Sequence, residues 1–342
     1  MIPLTSRPRA RLCHLPTPIE YLERLSAHLG GPRIFIKRDD ATGLAFGGNK
    51  ARKLEFILGD ARRAGADLLL TAAGVQSNHA RQTAAAAARF GMSAELVLAR
   101  MVPYSSPDYE MSGNVLLDRL LGATTHIVDR GTDVRAFLDG LAAKARSRGR
   151  HPYIVPFGGS APPGTFGYVD AAFEIMEQAK AANLTFGHVI HATGSGGTQG
   201  GFVCGFSAAG PGAPKVLGIS VLSKDKKYRD DVAELASLTA AELGLPKVPD
   251  AATVVDYDHV GEAYGIPTPG MLEAVSLAAR LEGLLLDPVY TGKAFAGMIA
   301  MIRDGRFSRD ETLLFIHTGG TPALFPYRTA FDAVTQAPRE PA

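Results

Sequence analysis

From residue 50 onward, short apolar runs alternate with segments in which apolar residues recur every three or four positions. Leu54, Ile57, Leu58 and Ala61 have the spacing of one helical face, and Gly65 follows as a stop. The pattern predicts helices over Lys50–Ala64, His79–Phe90, Asn114–Leu121, Val134–Arg148, Tyr168–Ala182, Gly201–Ala208, Arg229–Leu243, Thr268–Leu281 and Gly292–Arg303. It predicts strands over Asp67–Thr71, Glu95–Ala99, Thr125–Val128, His188–Ala192, Val216–Val221, Thr253–Asp256 and Thr312–His317.

The predicted strands are continuous apolar runs, which is typical of parallel strands covered on both faces. Strands that alternate with helices at this spacing predict an α/β architecture with right-handed crossovers. At roughly 150 residues per domain, a chain of 342 residues corresponds to about two domains. Glycine-rich segments follow several of the strands, and ligands of open α/β sheets bind at those strand ends.

Composition and charge narrow the class of protein. The formal net charge is only +2, which argues against nucleic acid as the main partner. No apolar run reaches the roughly 18 residues of a membrane span, so no membrane partner is expected. Two cysteines, Cys13 and Cys204, exclude a disulfide scaffold and favour a reducing compartment. Because the N-terminal segment has arginine and proline where an export signal is apolar, we expect a cytoplasmic protein.

The first candidate for chemistry is Lys50, which follows Gly47, Gly48 and Asn49 at the start of a predicted helix. A helix N-terminus is partly positive, and both this field and burial lower the pKa of an amine. A neutral amine is what Schiff-base chemistry needs. A surface lysine after a glycine turn is the alternative.

Two further loops follow predicted strands. The segment Gly74–His79 precedes a helix, so it offers either an anion clamp or simple capping of that helix by Ser77 or Asn78. The segment Thr193–Gly200 is rich in glycine and hydroxyl groups, which favours a phosphate cup. No Gly-Lys-Ser/Thr follows it, and position 199 is glutamine, so it matches neither a Walker A loop nor a dinucleotide fingerprint.

Two more loops complete the set, Tyr290–Lys293 and His317–Gly320. His188 and His191 lie three apart on one predicted strand and point to opposite faces, so no metal site is expected there. Jointly the five loops offer an amine, a phosphate cup, an anion clamp and a polar group for a ring nitrogen. Pyridoxal phosphate needs that combination.

Seven stretches between Leu15 and Tyr327 resemble fold-type-II pyridoxal-phosphate enzymes, specifically the D-cysteine desulfhydrase / 1-aminocyclopropane-1-carboxylate deaminase family. They are Leu15–Pro18, Phe35–Asp40, Gly47–Glu55, Gln76–Gln82, Thr193–Gly200, Leu286–Lys293 and His317–Gly320. The resemblance implies two open, mostly parallel twisted sheets with helices on both faces, as in tryptophan-synthase-β-like enzymes. It also implies a homodimer, whose subunit has a large cofactor domain (1–50 and 165–342) and an inserted small domain (51–164).

The resemblance also implies roles for single residues. Lys50 is expected to form the Schiff base with pyridoxal 5'-phosphate, Asn78 to bond its phenolic oxygen, and Thr318 to stand near its pyridine nitrogen. The residues expected to hold the phosphate are Thr193, Gly194, Ser195, Gly196, Gly197 and Thr198. Those expected to bind substrate are Ser77, Asn78, His79, Gly159, Tyr264 and Tyr290. Those expected to act in catalysis are Lys50, Ser77, Tyr264 and Tyr290.

Two positions depart from the family members that open the cyclopropane ring. Those deaminases carry Glu where this chain has Thr291 and Leu where it has Thr318. A carboxylate near the pyridine nitrogen favours its protonated form and deepens the electron sink, which ring opening should need. Threonines are weaker electrostatic partners, so the sequence disfavours deamination of 1-aminocyclopropane-1-carboxylate and favours β-elimination.

D-Cysteine, going to pyruvate, sulfide and ammonia, is the leading substrate on this resemblance. L-Cysteate, which would lose sulfite, stays a close alternative. Residues 113–125 and 261–268 resemble the L-cysteate sulfo-lyases, whereas residues 281–297 and 314–325 resemble D-cysteine desulfhydrase. A nucleotide-binding oxidoreductase is disfavoured by the glycine spacing at Gly194, and a catalytically silent binding protein by the presence of both Lys50 and the phosphate cup.

Overall fold

The computed structural model describes residues 4–104, 106 and 108–336, and its strands form two sheets. The strands are β1 (Ile19–Tyr21), β2 (Arg33–Lys37), β3 (Leu68–Gly74), β4 (Ser93–Ala99), β5 (Thr124–Val128), β6 (Pro152–Ile154), β7 (His188–Thr193), β8 (Lys215–Ser220), β9 (Val254–Asp256) and β10 (Thr312–Ile316). A six-stranded sheet has the order β1-β2-β10-β7-β8-β9, and a four-stranded sheet has the order β5-β4-β3-β6.

Every described pairing in the two sheets is parallel except that of β1 with β2. The helices that cover the sheets are α1 (Glu23–Leu29), α2 (Asn49–Arg63), α3 (Asn78–Arg89), α4 (Gly113–Leu120), α5 (Val134–Arg146), α6 (Phe166–Ala181), α7 (Gly197–Ala209), α8 (Tyr228–Leu243), α9 (Pro269–Glu282), α10 (Thr291–Arg303) and α11 (Asp332–Gln336). The predicted α/β architecture with two open, mostly parallel sheets is confirmed.

The cores lie between the sheets and their helices. All residues of β3 and of β10 are buried, which agrees with the continuous apolar runs of these strands. Helices α2 and α3 pack on the four-stranded sheet through residues such as Leu54, Leu58 and Ala84. None of the described helices is long and apolar enough to cross a membrane.

The elements that the sequence did not predict are short or partly exposed. Among the strands and α-helices they are β1, α1, β2, β6 and α11, which have between three and seven residues each. Helix α7 begins at Gly197, four residues before the predicted start. Its glycines have low helix propensity, but a Cβ atom at Gly201 would stand 2.5 Å from the Tyr168 Cβ of α6. Close packing of α6 against α7 therefore explains the glycine content.

The division into domains stays a prediction. All strands of the four-stranded sheet fall within residues 68–154, inside the predicted small domain, and the six-stranded sheet uses strands from both sides of it. Residues 1–3 and 337–342 of the predicted large domain lie outside the described residues.

Candidate active site

A cleft opens at the carboxyl ends of β3 and β7, where the chain turns into α3 and α7. The first turn of α2 and the residue before α10 complete its walls. Open α/β folds bind their ligands at this position. The described residues that line the cleft are Asn49, Lys50, Lys53, Ala73, Gly74, Ser77, Asn78, His79, Met101, Phe157, Gly158, Ala192, Thr193, Gly194, Ser195, Gly196, Thr198, Leu222, Tyr264, Tyr290 and Thr318.

All site residues predicted from the sequence line this cleft except Gly159 and Gly197. Gly159 lies behind the wall, where a Cβ atom would stand 3.2 Å from Cδ1 of Ile57. The neighbouring Gly158 reaches the cleft instead. Gly159 is thus absent from the described lining of the cleft, and its role in substrate binding stays a prediction. Gly197, the first residue of α7, packs against Ser160 just beneath the surface of the cleft.

Lys50 is the second residue of α2 and points its amine into the cleft. The helix starts after Gly48, whose φ of 125° suits glycine and where an added Cβ atom would stand 3.0 Å from the Thr318 carbonyl oxygen. The Asn49 N–H donates to that carbonyl at 3.0 Å, which ties the start of α2 to the end of β10. Burial lowers the pKa of Lys50 to about 8. Its amine is therefore far easier to deprotonate than that of an ordinary lysine.

Lys53 lies one turn further along α2 and was not predicted as a site residue. Its Nζ donates to the Gly158 carbonyl at 3.1 Å and lies 3.4 Å from the Ser160 Oγ. Burial, followed by the repulsion from Lys50, holds the pKa of Lys53 well below its usual range. The signal was present in the sequence, because residues three apart on a helix share a face.

A buried ionic network fixes α2 from behind. The Arg52 guanidinium donates to both carboxylate oxygens of Asp39 and also binds Glu174. The Tyr168 hydroxyl donates to Asp39, and the Lys37 amine donates to Glu174. Arg52 lies between Lys50 and Lys53 on α2. The network that holds Arg52 therefore determines which face of α2 points to the cleft. Breaking one partner of such a network leaves a buried charge uncompensated.

The N-terminus of α7 forms one end of the cleft. It has no capping side chain of its own, because Gly196 with φ 79° occupies the N-cap position. The Gly197 N–H donates to Ser160 Oγ at 3.1 Å, and Ser160 in turn donates to Ser195 Oγ at 2.7 Å. The first N–H groups of a helix have no partner within it and attract anions. With Lys53 beside it, this end of the cleft is suited to a phosphate group.

The glycines at this end leave space that side chains would fill. A Cβ atom at Gly197 would stand 2.5 Å from Ser160 Oγ and 2.7 Å from Lys53 Nζ, and one at Gly158 would overlap Ser195. The Asn49 amide donates to the Thr198 hydroxyl at 3.0 Å and so links α2 to α7 across this space.

The N-terminus of α3, unlike that of α7, is capped by its own N-cap side chain. The Ser77 Oγ accepts hydrogen bonds from the N–H groups of His79 at 3.1 Å and of Ala80 at 3.2 Å. Ser77 is thus the helix cap, the alternative that the sequence left open. It also lines the cleft, and its hydroxyl proton has no acceptor among the described residues.

Asn78 has a free polar group at the cleft, whereas the ring nitrogens of His79 are bonded or buried. The Asn78 Oδ1 accepts from Arg81 at 3.1 Å and from the Asn114 amide at 3.2 Å, so the Nδ2 group remains as the free donor. The Nε2 of His79 is 3.0 Å from the Thr71 hydroxyl, and its Nδ1 is buried with no partner among the described residues. Burial, and then the two nearby lysines, keep the pKa of His79 well below its usual value.

Tyr264 and Tyr290 meet at the opposite wall. Their hydroxyl oxygens are 2.5 Å apart, and their ring centroids are 5.9 Å apart. Burial raises the pKa of both phenols above the usual range. The Lys293 amine holds the Tyr264 segment by donating to the carbonyls of Val260 at 2.6 Å and Ala263 at 2.9 Å.

The two threonines of the ring-opening argument lie in different places. Thr318 lines the cleft, as expected. Thr291 does not line it: its hydroxyl donates to Asp287 Oδ1 at 2.7 Å and accepts from the Asp287 N–H at 2.8 Å. As the first residue of α10, Thr291 is part of a reciprocal cap at the helix N-terminus. The carboxylate of the ring-opening enzymes was expected at position 291, which does not line the cleft. Thr318 is more polar than the leucine of those enzymes, so it cannot replace Thr291 in the electrostatic argument against ring opening.

The fold and the cleft define an α/β enzyme with a buried amine facing an anion site. The sequence pattern of the pyridoxal-phosphate dependent enzymes matches residues 10–319, and the chain belongs to that family. A D-cysteine desulfhydrase from Salmonella typhi is 44% identical over 324 residues, which cover 95% of this chain and 97% of that protein. The family resemblance and the cofactor expected from the sequence are confirmed.

Solved structures agree with this assignment. The crystal structure of an ACC deaminase homologue superposes with a TM-score of 0.88 at 36% identity, covering 97% of this chain and 98% of that one. A threonine deaminase from T.th. is 21% identical, with a TM-score of 0.59 over 89% of this chain and 92% of that one, and it shares the fold.

The residues present fit pyridoxal phosphate. The cleft combines a lysine whose pKa is lowered to about 8, a glycine-lined helix N-terminus and an asparagine whose NH₂ group is free. An aldehyde, a phosphate and a phenolic oxygen need these three kinds of partner.

Proposed function

We propose that the chain catalyses β-elimination from a small β-substituted amino acid, with D-cysteine converted to pyruvate, sulfide and ammonia by consumption of one water. The observation that carries this proposal is the Lys50 amine, which faces a cleft that has an anion site at one end and a tyrosine pair at the opposite wall. The name of the 44% identical relative, D-cysteine desulfhydrase, supports the choice of substrate.

Bound pyridoxal phosphate supplies the electron sink that lets a proton leave the substrate α-carbon. In this proposal Lys50 anchors the cofactor, and the Asn78 NH₂ group donates to its phenolic oxygen. The N-terminus of α7, with Ser195, Thr198 and Lys53, holds the phosphate. Thr318 stands beside the pyridine ring.

Lys50 also removes the α-proton. A base works best when its pKa is close to the working pH, and burial brings the pKa of Lys50 to about 8. Its Nζ can therefore take a proton and give it up again near neutral pH. Ser77 lies beside it with a hydroxyl free to donate to the substrate carboxylate. Such acid–base help is typically worth about 10²–10⁴-fold in rate.

The tyrosine pair serves the leaving group. Because the pKa of each phenol is raised, both hydroxyls stay protonated at neutral pH and one proton can be shared between the two oxygens. A protonated hydroxyl at Tyr290 can donate to the departing sulfur, so that sulfide leaves as a neutral or singly charged species. The three-carbon enamine that remains hydrolyses to pyruvate and ammonia.

L-Cysteate fits the cleft less well than D-cysteine. Its sulfonate is a second anion beside the carboxylate, and Lys50 and Lys53 are the two amine side chains among the described lining residues. Lys53 belongs to the phosphate end, where it binds Gly158, and Lys50 performs the chemistry. A thiol needs no such partner, so a neutral leaving group suits the remaining apolar wall formed by Met101 and Leu222.

The test is keto-acid release from D-cysteine, L-cysteine, L-cysteate and 1-aminocyclopropane-1-carboxylate. Pyruvate with sulfide from D-cysteine is expected, with at most weak activity on the others. Pyruvate with sulfite from L-cysteate alone would overturn the choice of leaving group. Release of 2-oxobutyrate from the cyclopropane substrate would overturn the preference for β-elimination.

We further propose that the chain acts as a cytoplasmic homodimer whose small domain is residues 51–164. Both cysteines are free thiols, which supports a reducing compartment. Met111, Leu116 and Leu120 are exposed apolar residues at α4, which supports a partner at this surface. Sedimentation analysis of the holoenzyme at micromolar concentration is expected to give twice the 36.1 kDa chain mass, and the chain mass alone would contradict the dimer.

A further inference from the structure

Arg81 is a fully buried cation on α3 that lies one turn after Asn78. Its Nη1 donates to Asn78 Oδ1 at 3.1 Å and to Asn114 Oδ1 at 2.6 Å. Its Nη2 donates to the Gly47 carbonyl at 3.0 Å. Arg81 does not line the cleft, but it joins the donor residue Asn78 to the turn that leads into Lys50.

These bonds decide which way the Asn78 amide points. Its carbonyl oxygen accepts from two donors, Arg81 Nη1 and Asn114 Nδ2. If the amide were turned over, its NH₂ group would face those two donors and no hydrogen bond could form. The Asn114 amide is itself held, because its Nδ2 also donates to the Gln76 carbonyl at 3.1 Å. The NH₂ group of Asn78 is therefore the atom group that faces the cleft.

The cation also strengthens that donor. A hydrogen bond accepted from a charged group polarises the amide and makes its NH₂ protons more acidic, and burial increases the effect. Burial lowers the pKa of Arg81 to about 10, while Asp118 and Asp287 oppose this shift, so the guanidinium stays charged at neutral pH. Asp118 is a buried carboxyl on α4.

We propose that Arg81 is a positioning residue for the cofactor: it fixes the Asn78 amide with its NH₂ group toward the cleft and strengthens the bond donated to the phenolic oxygen. This inference rests on the proposed function, because it assumes that Asn78 meets the phenolic oxygen of pyridoxal phosphate. Arg81 touches neither cofactor nor substrate and acts only through Asn78.

A double-mutant cycle on cofactor affinity tests the inference. The dissociation constant of pyridoxal phosphate is measured by absorption titration of the protein freed of cofactor, for wild type, Arg81→Lys, Asn78→Ala and the double variant. Arg81→Lys keeps the charge but loses the planar guanidinium, whose Nη1 binds both asparagines and whose Nη2 binds the Gly47 carbonyl. We expect roughly tenfold weaker binding from Arg81→Lys in the wild-type background, as for loss of one charge-assisted bond, and less than about twofold in the Asn78→Ala background.

Controls separate the possible failures. Arg89→Lys changes an exposed arginine on the same helix and should leave the affinity unchanged. Arg81→Gln keeps a donor for Asn78 Oδ1 without the charge, and it replaces Arg81→Lys in the cycle if that variant melts below the assay temperature. Equal losses in both backgrounds would overturn the inference and indicate a general structural role. If wild type itself failed to bind pyridoxal phosphate, the proposed function would fail instead.

Discussion

Helices α3 and α7 both begin at the cleft, each just after a buried parallel strand, yet the N–H groups of their first turns are capped differently. At α3 the Ser77 hydroxyl accepts two backbone N–H bonds, so the helix terminus is satisfied by its own cap. At α7 a glycine with positive φ precedes the first turn, and the capping oxygen comes from Ser160 on another segment. The N-terminus of α3 therefore serves as a wall that orients side chains, whereas the N-terminus of α7 is open to an anion. We call the N-terminus of α7 the open terminus.

Gly197→Ala is expected to have the largest effect on the open terminus. The added Cβ would stand 2.5 Å from Ser160 Oγ and 2.8 Å from Ser160 Cα, so the turn must shift. We expect the dissociation constant of pyridoxal phosphate to rise about 100-fold, in line with the cost of overpacking. Gly140→Ala on α5, where a Cβ would meet nothing within 4 Å, is the matched control and should bind normally.

Lys53→Met should have the next largest effect. It removes the amine that can donate to a phosphate at the open terminus, and we expect roughly tenfold weaker binding of pyridoxal phosphate, together with weaker competition by inorganic phosphate. Folding stability should not fall, because a buried amine with a strongly lowered pKa is costly to keep in the fold. Unchanged affinity combined with lower stability would show that Lys53 serves packing and not the anion.

A third helix, α2, also begins at the cleft, and it carries Lys50 at its partly positive N-terminus. An amine attacks an aldehyde only when it is neutral, so the rate of cofactor attachment should rise with pH and level off above the pKa of Lys50, which is about 8. Between pH 7 and pH 9 a group with this pKa gains about tenfold in its neutral fraction. Stopped-flow absorption measures the rate. A rate that keeps rising toward pH 10.5, the ordinary lysine value, would mean that burial does not lower the pKa of Lys50.

Ser77→Ala should have the smallest effect on the cofactor. Loss of the cap is expected to reduce the free energy of unfolding by about 1 kcal/mol, while the dissociation constant of pyridoxal phosphate changes less than about threefold. Urea unfolding and absorption titration give the two quantities. A loss of affinity as large as that of Gly197→Ala would erase the contrast between the two helix termini.

Much of the fold follows from local pattern, since continuous apolar strands and glycine stops mark most elements. The sequence also places Lys50 and the glycine-rich start of α7 correctly at the cleft, because both follow from position relative to a helix terminus. The partly exposed strands β1 and β2 were missed, since β2 is placed by pairing with distant β10 and β1 by pairing with β2.

The finer site could not be predicted because it depends on contacts between distant segments. Whether Ser77 caps helix α3 or binds an anion depends on the path of its own backbone. Thr291 is turned away from the cleft by Asp287, and Gly159 is held behind Gly158 by packing on α2. The orientation of the Asn78 amide is set by Arg81 on the same helix together with Asn114, which is 36 residues away in sequence.

The central claim is that Lys50, and not the neighbouring Lys53, carries the cofactor and the elimination chemistry. The most direct measurement is borohydride reduction of the holoenzyme followed by peptide mass spectrometry, with Lys50→Ala treated in parallel. The account predicts a phosphopyridoxyl group on Lys50 in wild type, no such group in Lys50→Ala, and loss of pyruvate release from D-cysteine in that variant. A label on Lys53 or Lys293, or pyruvate release that survives Lys50→Ala, would contradict it.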